Sequence, residues 1–109
     1  MSEHTLTVMH GVIVEDKLQF TLIELSQACQ ADSARLIELV EEGALMPSGN
    51  DASTWRFDGS ALRRASAALR LARDLHLNAA SVALVLDLLD EVEALKSRLR
   101  QLGHGASLR

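Results

Sequence analysis

The stretch from Thr21 to Gly43 constrains the fold of this chain more than any other. Thr21 followed three residues later by Glu24 has the form of a capping box, which starts a helix by satisfying two otherwise unpaired backbone donors. Leu22, Leu25 and Cys29, with Ala28 beside them, then fall on one helical face. Asp32 or Ser33 caps a second helix, whose inward face is predicted to be Leu36, Ile37 and Val40. Gly43 supplies the left-handed residue that ends it. Two short helices across a tight turn form a helix-turn-helix, the usual device for setting a helix into a DNA groove. The second helix nevertheless carries Asp32, Glu38, Glu41 and Glu42 against a single Arg35, and a phosphate backbone repels such a surface.

A chain of 109 residues supports one domain. Apolar residues make up 48% of it, mostly Leu, Ala and Val, and aromatics only 3%, a balance that favours helices. The net charge of −4 argues against nonspecific nucleic-acid affinity. Cys29 is the only cysteine, so no intramolecular disulfide forms, and its place on an apolar helical face points to packing. The N-terminus lacks the basic region, apolar run and cleavage site of a signal peptide. The longest apolar run, Ala79 to Leu89, is too short for a bilayer. A soluble protein of the cytoplasm is the expectation.

Around the helix pair the pattern changes. Leu6, Val8, Val12 and Val14 alternate about His10 and Gly11, as in a short hairpin or a loose arm, and Leu18 to Thr21 has a second brief strand-like pattern. Pro47 to Asp51 are turn formers, and Trp55, Arg56 and Phe57 alternate like a strand. The simplest account is a hairpin pairing Met46–Ser48 with Thr54–Phe57, its two aromatics closing one end of the core. Asp58 caps a third helix to about Leu75, with Leu62, Ala65, Leu69 and Ala72 inward and Arg63, Arg64, Arg70 and Arg73 elsewhere. Asn78 caps a fourth, expected to run to about Leu102 before Gly103, with His104 to Arg109 as a flexible tail. That helix is ~35 Å long at ~1.5 Å per residue, too long for so small a body to cover. Beyond core-facing Val82, Val85 and Leu89 it carries Leu88, Val92, Leu95, Leu99 and Leu102, spaced 4, 3, 4 and 3, a heptad seam that predicts a homodimer.

No constellation points to catalysis. There is no glycine-rich phosphate loop or nucleophile elbow, and His4, His10, His76 and His104 are scattered without ligand spacing, so neither metal nor cofactor is expected. Two acidic surfaces remain as partner sites. Asp87, Asp90 and Glu91 lie on neighbouring turns of the fourth helix, interleaved with Leu88, Leu89 and Val92, and are the first choice. Glu38, Glu41 and Glu42 on the second helix are the rival. Either suits a basic protein partner with some exposed apolar surface.

Taken together, the pattern resembles the MerR-like winged helix-turn-helix: a mainly α fold with a small hairpin wing and a long C-terminal dimerisation helix. Residues 20–78 form the core, 79–102 the long helix, and 1–19 an N-terminal extension. More narrowly, Phe20-Thr-Leu-Ile-Glu-Leu25, Thr54-Trp-Arg-Phe-Asp58, Leu71-Ala-Arg-Asp-Leu-His-Leu-Asn78 and above all Val82 to Lys96 resemble the CbpM chaperone-modulator family. The resemblance runs from about Phe20 to Leu102 and leaves the first nineteen residues unmatched. It implies binding to the J-domain of a DnaJ-type, CbpA-like co-chaperone. It further implies inhibition of that co-chaperone's stimulation of Hsp70 and an effect on its DNA binding, with nucleoid association through the partner. A J-domain presents a basic helix to Hsp70, so a competitor for it should be acidic. The competing reading is a dimeric MerR-like DNA-binding transcription regulator, against which the acids of the second helix count.

Overall fold

The computed structural model describes residues 6–9, 12–15 and 18–106. In chain order the elements are β1 (Leu6–Met9), β2 (Val12–Glu15), β3 (Gln19–Phe20), α1 (Leu22–Cys29), α2 (Ser33–Glu41), β4 (Phe57–Asp58), α3 (Gly59–Leu75) and α4 (Ala79–Ala106). The fold is mainly helical, with two small antiparallel sheets, β1 with β2 and β3 with β4.

The start and stop signals of the helix pair take the form the sequence predicts. The Thr21 hydroxyl accepts from the Glu24 N–H at 3.1 Å, and the Glu24 carboxylate accepts from the Thr21 N–H at 2.9 Å, closing the capping box. Gln30, in the left-handed region at φ 56°, ends α1. Asp32 is the N-cap of α2, although its side chain makes no capping hydrogen bond. Gly43, at φ 82°, ends α2 in a Schellman arrangement: its N–H reaches Val40 O at 3.0 Å, and the Ala44 N–H reaches Leu39 O at 2.8 Å. That tight exit drops Ala44 and Leu45 directly into the core.

Leu25, Leu36, Leu45, Phe57, Leu62 and Val82 are the largest fully buried side chains, so every helix contributes to one core. Two of the predicted inward faces are corrected. In α2 the core position is Leu39 rather than Ile37, which is half-buried and lies outside the cluster. Leu39 is three residues beyond Leu36 and sits above it, whereas Ile37 is turned toward the flank. In α4 the buried set is Val82, Ala83 and Leu86; Val85 is half-buried and Leu89 is 51% exposed. The helix leaves the body after Leu86, and from Asp87 to Gly103 every side chain but half-exposed Ser97 is exposed.

The wing is also smaller than predicted. Ser48 and Arg56 form one bridge, with N–H to O distances of 3.1 and 3.0 Å, and the expected ladder goes no further. Leu45 is held in the core, Met46 turns outward at 85% exposure, and the strand so formed stops after a single rung. Phe57 and Asp58 pair instead with Phe20 and Gln19, which ties the wing to the entrance of α1. At the tip the Asp51 carboxylate accepts from the Ser53 hydroxyl and from the Ser53 and Thr54 N–H groups. Gly49 is required there: at φ 104° a Cβ would lie 2.5 Å from Thr54 O. The aromatics close the core end as expected, with Phe57 buried and Trp55 edge-on to it at 6.1 Å.

β1 and β2 pair from Leu6 opposite Glu15 to Met9 opposite Val12, which is the hairpin rather than the loose arm. The His10–Gly11 turn lies outside the described residues, as do 107–109 of the expected tail. α4 does not stop at Gly103 but continues to Ala106. A single helical glycine costs only ~1 kcal/mol relative to alanine, too little to end a long helix without a left-handed cap.

Candidate functional site

The would-be reading surface of α2 is built from residues opposite its buried pair, Leu36 and Leu39. Ala34, Glu38 and Glu41 occupy it at helical spacing, all exposed. Among the described residues no cation pairs with Glu38, Glu41 or Glu42. Behind this surface a groove of about 620 Å³ opens between α2, the end of α3 and the start of α4. Its floor is apolar, with Leu39, Ala68, Leu69 and Ala72, and its α2 rim carries Arg35, Glu38, Glu41 and Glu42.

The second acidic surface is placed differently. Arg64 on α3 donates from Nε to the Ala44 carbonyl at 2.7 Å. Its Nη1 lies 3.1 Å from Asp90 Oδ2, and its Nη2 lies 3.8 Å from Asp87 Oδ1. Arg64 therefore joins three elements: the exit of α2, α3, and α4 where it leaves the body. Asp87 and Asp90 remain 71% and 62% exposed while engaged in this way. Glu91 is one residue further round the helix and unpaired among the described residues. The three acids thus share a side of α4, as their spacing predicts, but two of them already neutralise a cation of the same chain.

This arrangement also redefines the arginines of α3. Arg64 is spent on an internal contact, and Arg73 pairs with its neighbour Asp74 at 3.1 Å. Arg70 is exposed, and Arg63 has an interaction partner of its own. They do not combine into a bare basic stripe.

The predicted seam lies on the side of α4 opposite Val82, Ala83 and Leu86. Leu88, Val92, Leu95, Leu99 and Leu102 are 45–67% exposed. Leu84, four residues before Leu88 and 60% exposed, continues the same exposed stripe toward the body. Glu93 and Arg100 pair across the opposite flank at 3.2 Å.

The remaining chemistry is structural. Cys29 Sγ lies 3.8 Å from the hydroxyl of buried Ser66, and burial raises the thiol's pKa more than that contact lowers it, so the group is a protonated packing element. His76 is the left-handed C-cap of α3 at φ 55°, and its backbone N–H bonds to Ala72 O. Among the described residues no three His, Cys, Asp or Glu side chains gather as a metal site. No described helix is long and apolar enough to cross a membrane.

Comparison with known proteins places this geometry in a family. Residues 20–104 match the family described as MerR HTH family regulatory protein. The chaperone modulatory protein CbpM of Coxiella burnetii (strain Dugway 5J108-111) is 39% identical over 98 residues, covering 90% of this chain and 92% of that protein. The proteins of the same name from Pseudomonas putida (strain W619) and Pseudomonas entomophila (strain L48) are each 36% identical over 80 residues, covering 73% of this chain and 79% of theirs. A 98-residue match in a chain of 109 necessarily reaches into the first nineteen residues, so the N-terminal extension is not wholly foreign to the family. A helix-turn-helix frame with an acidic reading helix, together with these relatives, establishes that the chain belongs to the CbpM chaperone modulatory proteins within the MerR-like helix-turn-helix family.

Proposed function

We propose that the chain is a homodimeric modulator that binds the J-domain of a DnaJ-type, CbpA-like co-chaperone and inhibits its stimulation of Hsp70. The observation that carries this reading is the exposed acidic surface of Glu38 and Glu41 on the helix that a DNA-binding relative would insert into a groove. Negative charge there opposes phosphate and favours a basic protein helix. The name of the relatives, chaperone modulatory protein, supports the class of partner. The exposed α4 seam supports the second copy, because solvent-facing large side chains in a heptad are the sequence of a helix pair. Action in the cytoplasm, with nucleoid association through the partner, follows from this reading.

Titration calorimetry of the whole chain against an isolated J-domain tests the proposal, together with J-stimulated Hsp70 ATPase turnover. Binding that weakens between 50 and 300 mM salt, with loss of the stimulated turnover, is expected. Mobility shift with random and curved DNA is expected to give no complex at physiological salt. Submicromolar, sequence-selective DNA binding without J-domain binding would instead establish the transcription-regulator reading.

A further inference from the structure

One side chain spans the point at which α4 leaves the body. Val82, Ala83 and Leu86 root the helix in the core, and from Asp87 to Gly103 it is exposed apart from half-exposed Ser97. At ~1.5 Å per residue the rooted part, from Ala79 to Leu86, is ~12 Å long, and the free part to Ala106 is ~30 Å. A helix with so short a root is a lever. A tilt of ~10° at the root carries the far end ~5 Å sideways. Apolar burial restrains such a tilt poorly, because it has no preferred direction.

Beside the root the body falls away. A cavity of about 380 Å³ lies between the exit of α2 at Gly43–Met46, the start of α3, and Asp87 and Asp90 of α4. A second depression, of about 500 Å³, is lined by Asp87, Asp90, Glu91 and Ala94, residues of α4 alone. Arg64 bridges the first. Its Nε donates to the Ala44 carbonyl at 2.7 Å. Ala44 is buried and its own N–H is tied to Leu39 O at 2.8 Å, so this acceptor is fixed backbone. The other edge of the guanidinium faces α4. Nη1 lies 3.1 and 3.3 Å from the two carboxylate oxygens of Asp90, and Nη2 lies 3.8 Å from Asp87. The group is planar, so it cannot turn toward a tilted helix without breaking the bond to Ala44. Among the described residues, Asp90 is the outermost α4 side chain that pairs with the body. Exposed ion pairs add little stability. Two footings one turn apart on α4 nevertheless fix a direction, which burial alone does not.

We propose that Arg64 is a brace that sets the angle at which α4 leaves the body, with Asp87 and Asp90 as its footings on the helix. The brace acts within one chain and requires neither a J-domain nor a second copy. It bears on both, because it holds the free part of α4, apolar stripe included, in one position relative to α2. In a pair of α4 helices the same angle sets the spacing of the two bodies.

Pulsed dipolar electron resonance reads this angle as a distance. In the full-length chain carrying Cys29→Ala, spin labels at Gln27→Cys on α1 and Gln101→Cys on α4 span the joint. A second pair, Gln27→Cys with Arg70→Cys, lies within the body. An excess of unlabelled chain restricts the signal to pairs within one molecule. The distance distribution across the joint is expected to be narrow for the parent. It should be at least twice as broad for Arg64→Met, and also for Asp87→Asn with Asp90→Asn. The distribution within the body stays unchanged in both. Arg64→Lys falls between parent and Arg64→Met, because an ammonium carries the charge without the fork. Asp51→Ala, which loosens the wing tip and leaves the bridge intact, keeps the width of the parent. If Arg64→Met fails to fold, the paired asparagine variant carries the test, since both aspartates are more than half exposed. Distributions across the joint as narrow in the variants as in the parent overturn the brace. Equal broadening in Asp51→Ala, or broadening within the body, overturns it too, because the effect then comes from general loosening.

Discussion

At the scale of single residues, side-chain caps mark where this chain changes direction. Asp58 is the clearest case, because it ends β4 and opens α3 at once. Its carboxylate accepts from the Ser60 hydroxyl at 2.7 Å and from the Ala61 N–H at 2.9 Å. Those two donors, the hydroxyl first, hold its pKa below the ordinary aspartate range. A depressed folded-state value means stability that is present above the unfolded pKa of about 3.9 and is lost as pH falls through the folded value. Asp58→Ala is expected to cost ~1 kcal/mol at pH 7, the usual worth of an N-cap. Asp58 is well solvated, so the pH-linked share is only a fraction of that figure. Urea unfolding at pH 7 and pH 3 should therefore show a smaller acid-induced loss in Asp58→Asn than in the parent. Equal losses would mean that the charge of the cap contributes nothing. Asp58, Thr21, Asn78 and Gly43 were all legible in the sequence, because a cap is a local device whose partners lie within a few residues.

At the scale of elements, legibility follows the same rule and then ends. The helices, their order and their starts were readable from periodicity and caps. Which apolar residue faced inward was not always so. Choosing Leu39 over Ile37, or Leu86 over Leu89, depends on where the neighbouring helix lies, which no local pattern encodes. The stop of α4 was misread because Gly103 lacks the left-handed cap that makes Gly43 a terminator. Of the candidate site, both acidic sets were visible as sequence, but the pairing of Asp87 and Asp90 with Arg64 was not, because Arg64 is separated by 20 residues from Ala44 and by 26 from Asp90. Arg64→Met tests that latch. It leaves the carbonyl of buried Ala44 without its donor and Asp87 and Asp90 without their cation. The exposed ion pairs are worth little, so most of the effect should come from the carbonyl, ~1–2 kcal/mol in urea unfolding. Arg64→Lys should rescue it only in part, because one ammonium cannot present the fork that reaches all three acceptors. A change below ~0.3 kcal/mol for Arg64→Met would remove the latch from the account.

At the scale of the whole molecule, the body and the end of α4 obey different rules. The body buries its apolar faces on itself, whereas α4 exposes Leu84, Leu88, Val92, Leu95, Leu99 and Leu102 along one side. The principal extents, 52 × 42 × 28 Å, are those of an elongated shape. A stripe of large side chains spanning ~27 Å at ~1.5 Å per residue is unusual on a monomer of this size. In the homodimer proposed above a second copy covers it, the stripe meeting itself under two-fold symmetry. Leu95 lies near its middle, so Leu95→Asp would place a carboxylate from each chain inside the paired seam. Burying such a charge costs several kcal/mol, comparable with what a short helix pair has to spare. Sedimentation equilibrium should show a dimer for the parent and a monomer for Leu95→Asp, with unchanged helical circular dichroism from the body. Leu84→Asp should weaken the dimer less, since it lies at the end of the stripe beside the body. If the parent chain is monomeric at tens of micromolar, the seam is not a homodimer surface. If Leu84→Asp proves as damaging as Leu95→Asp, the seam extends further into the body than the heptad from Leu88 implies.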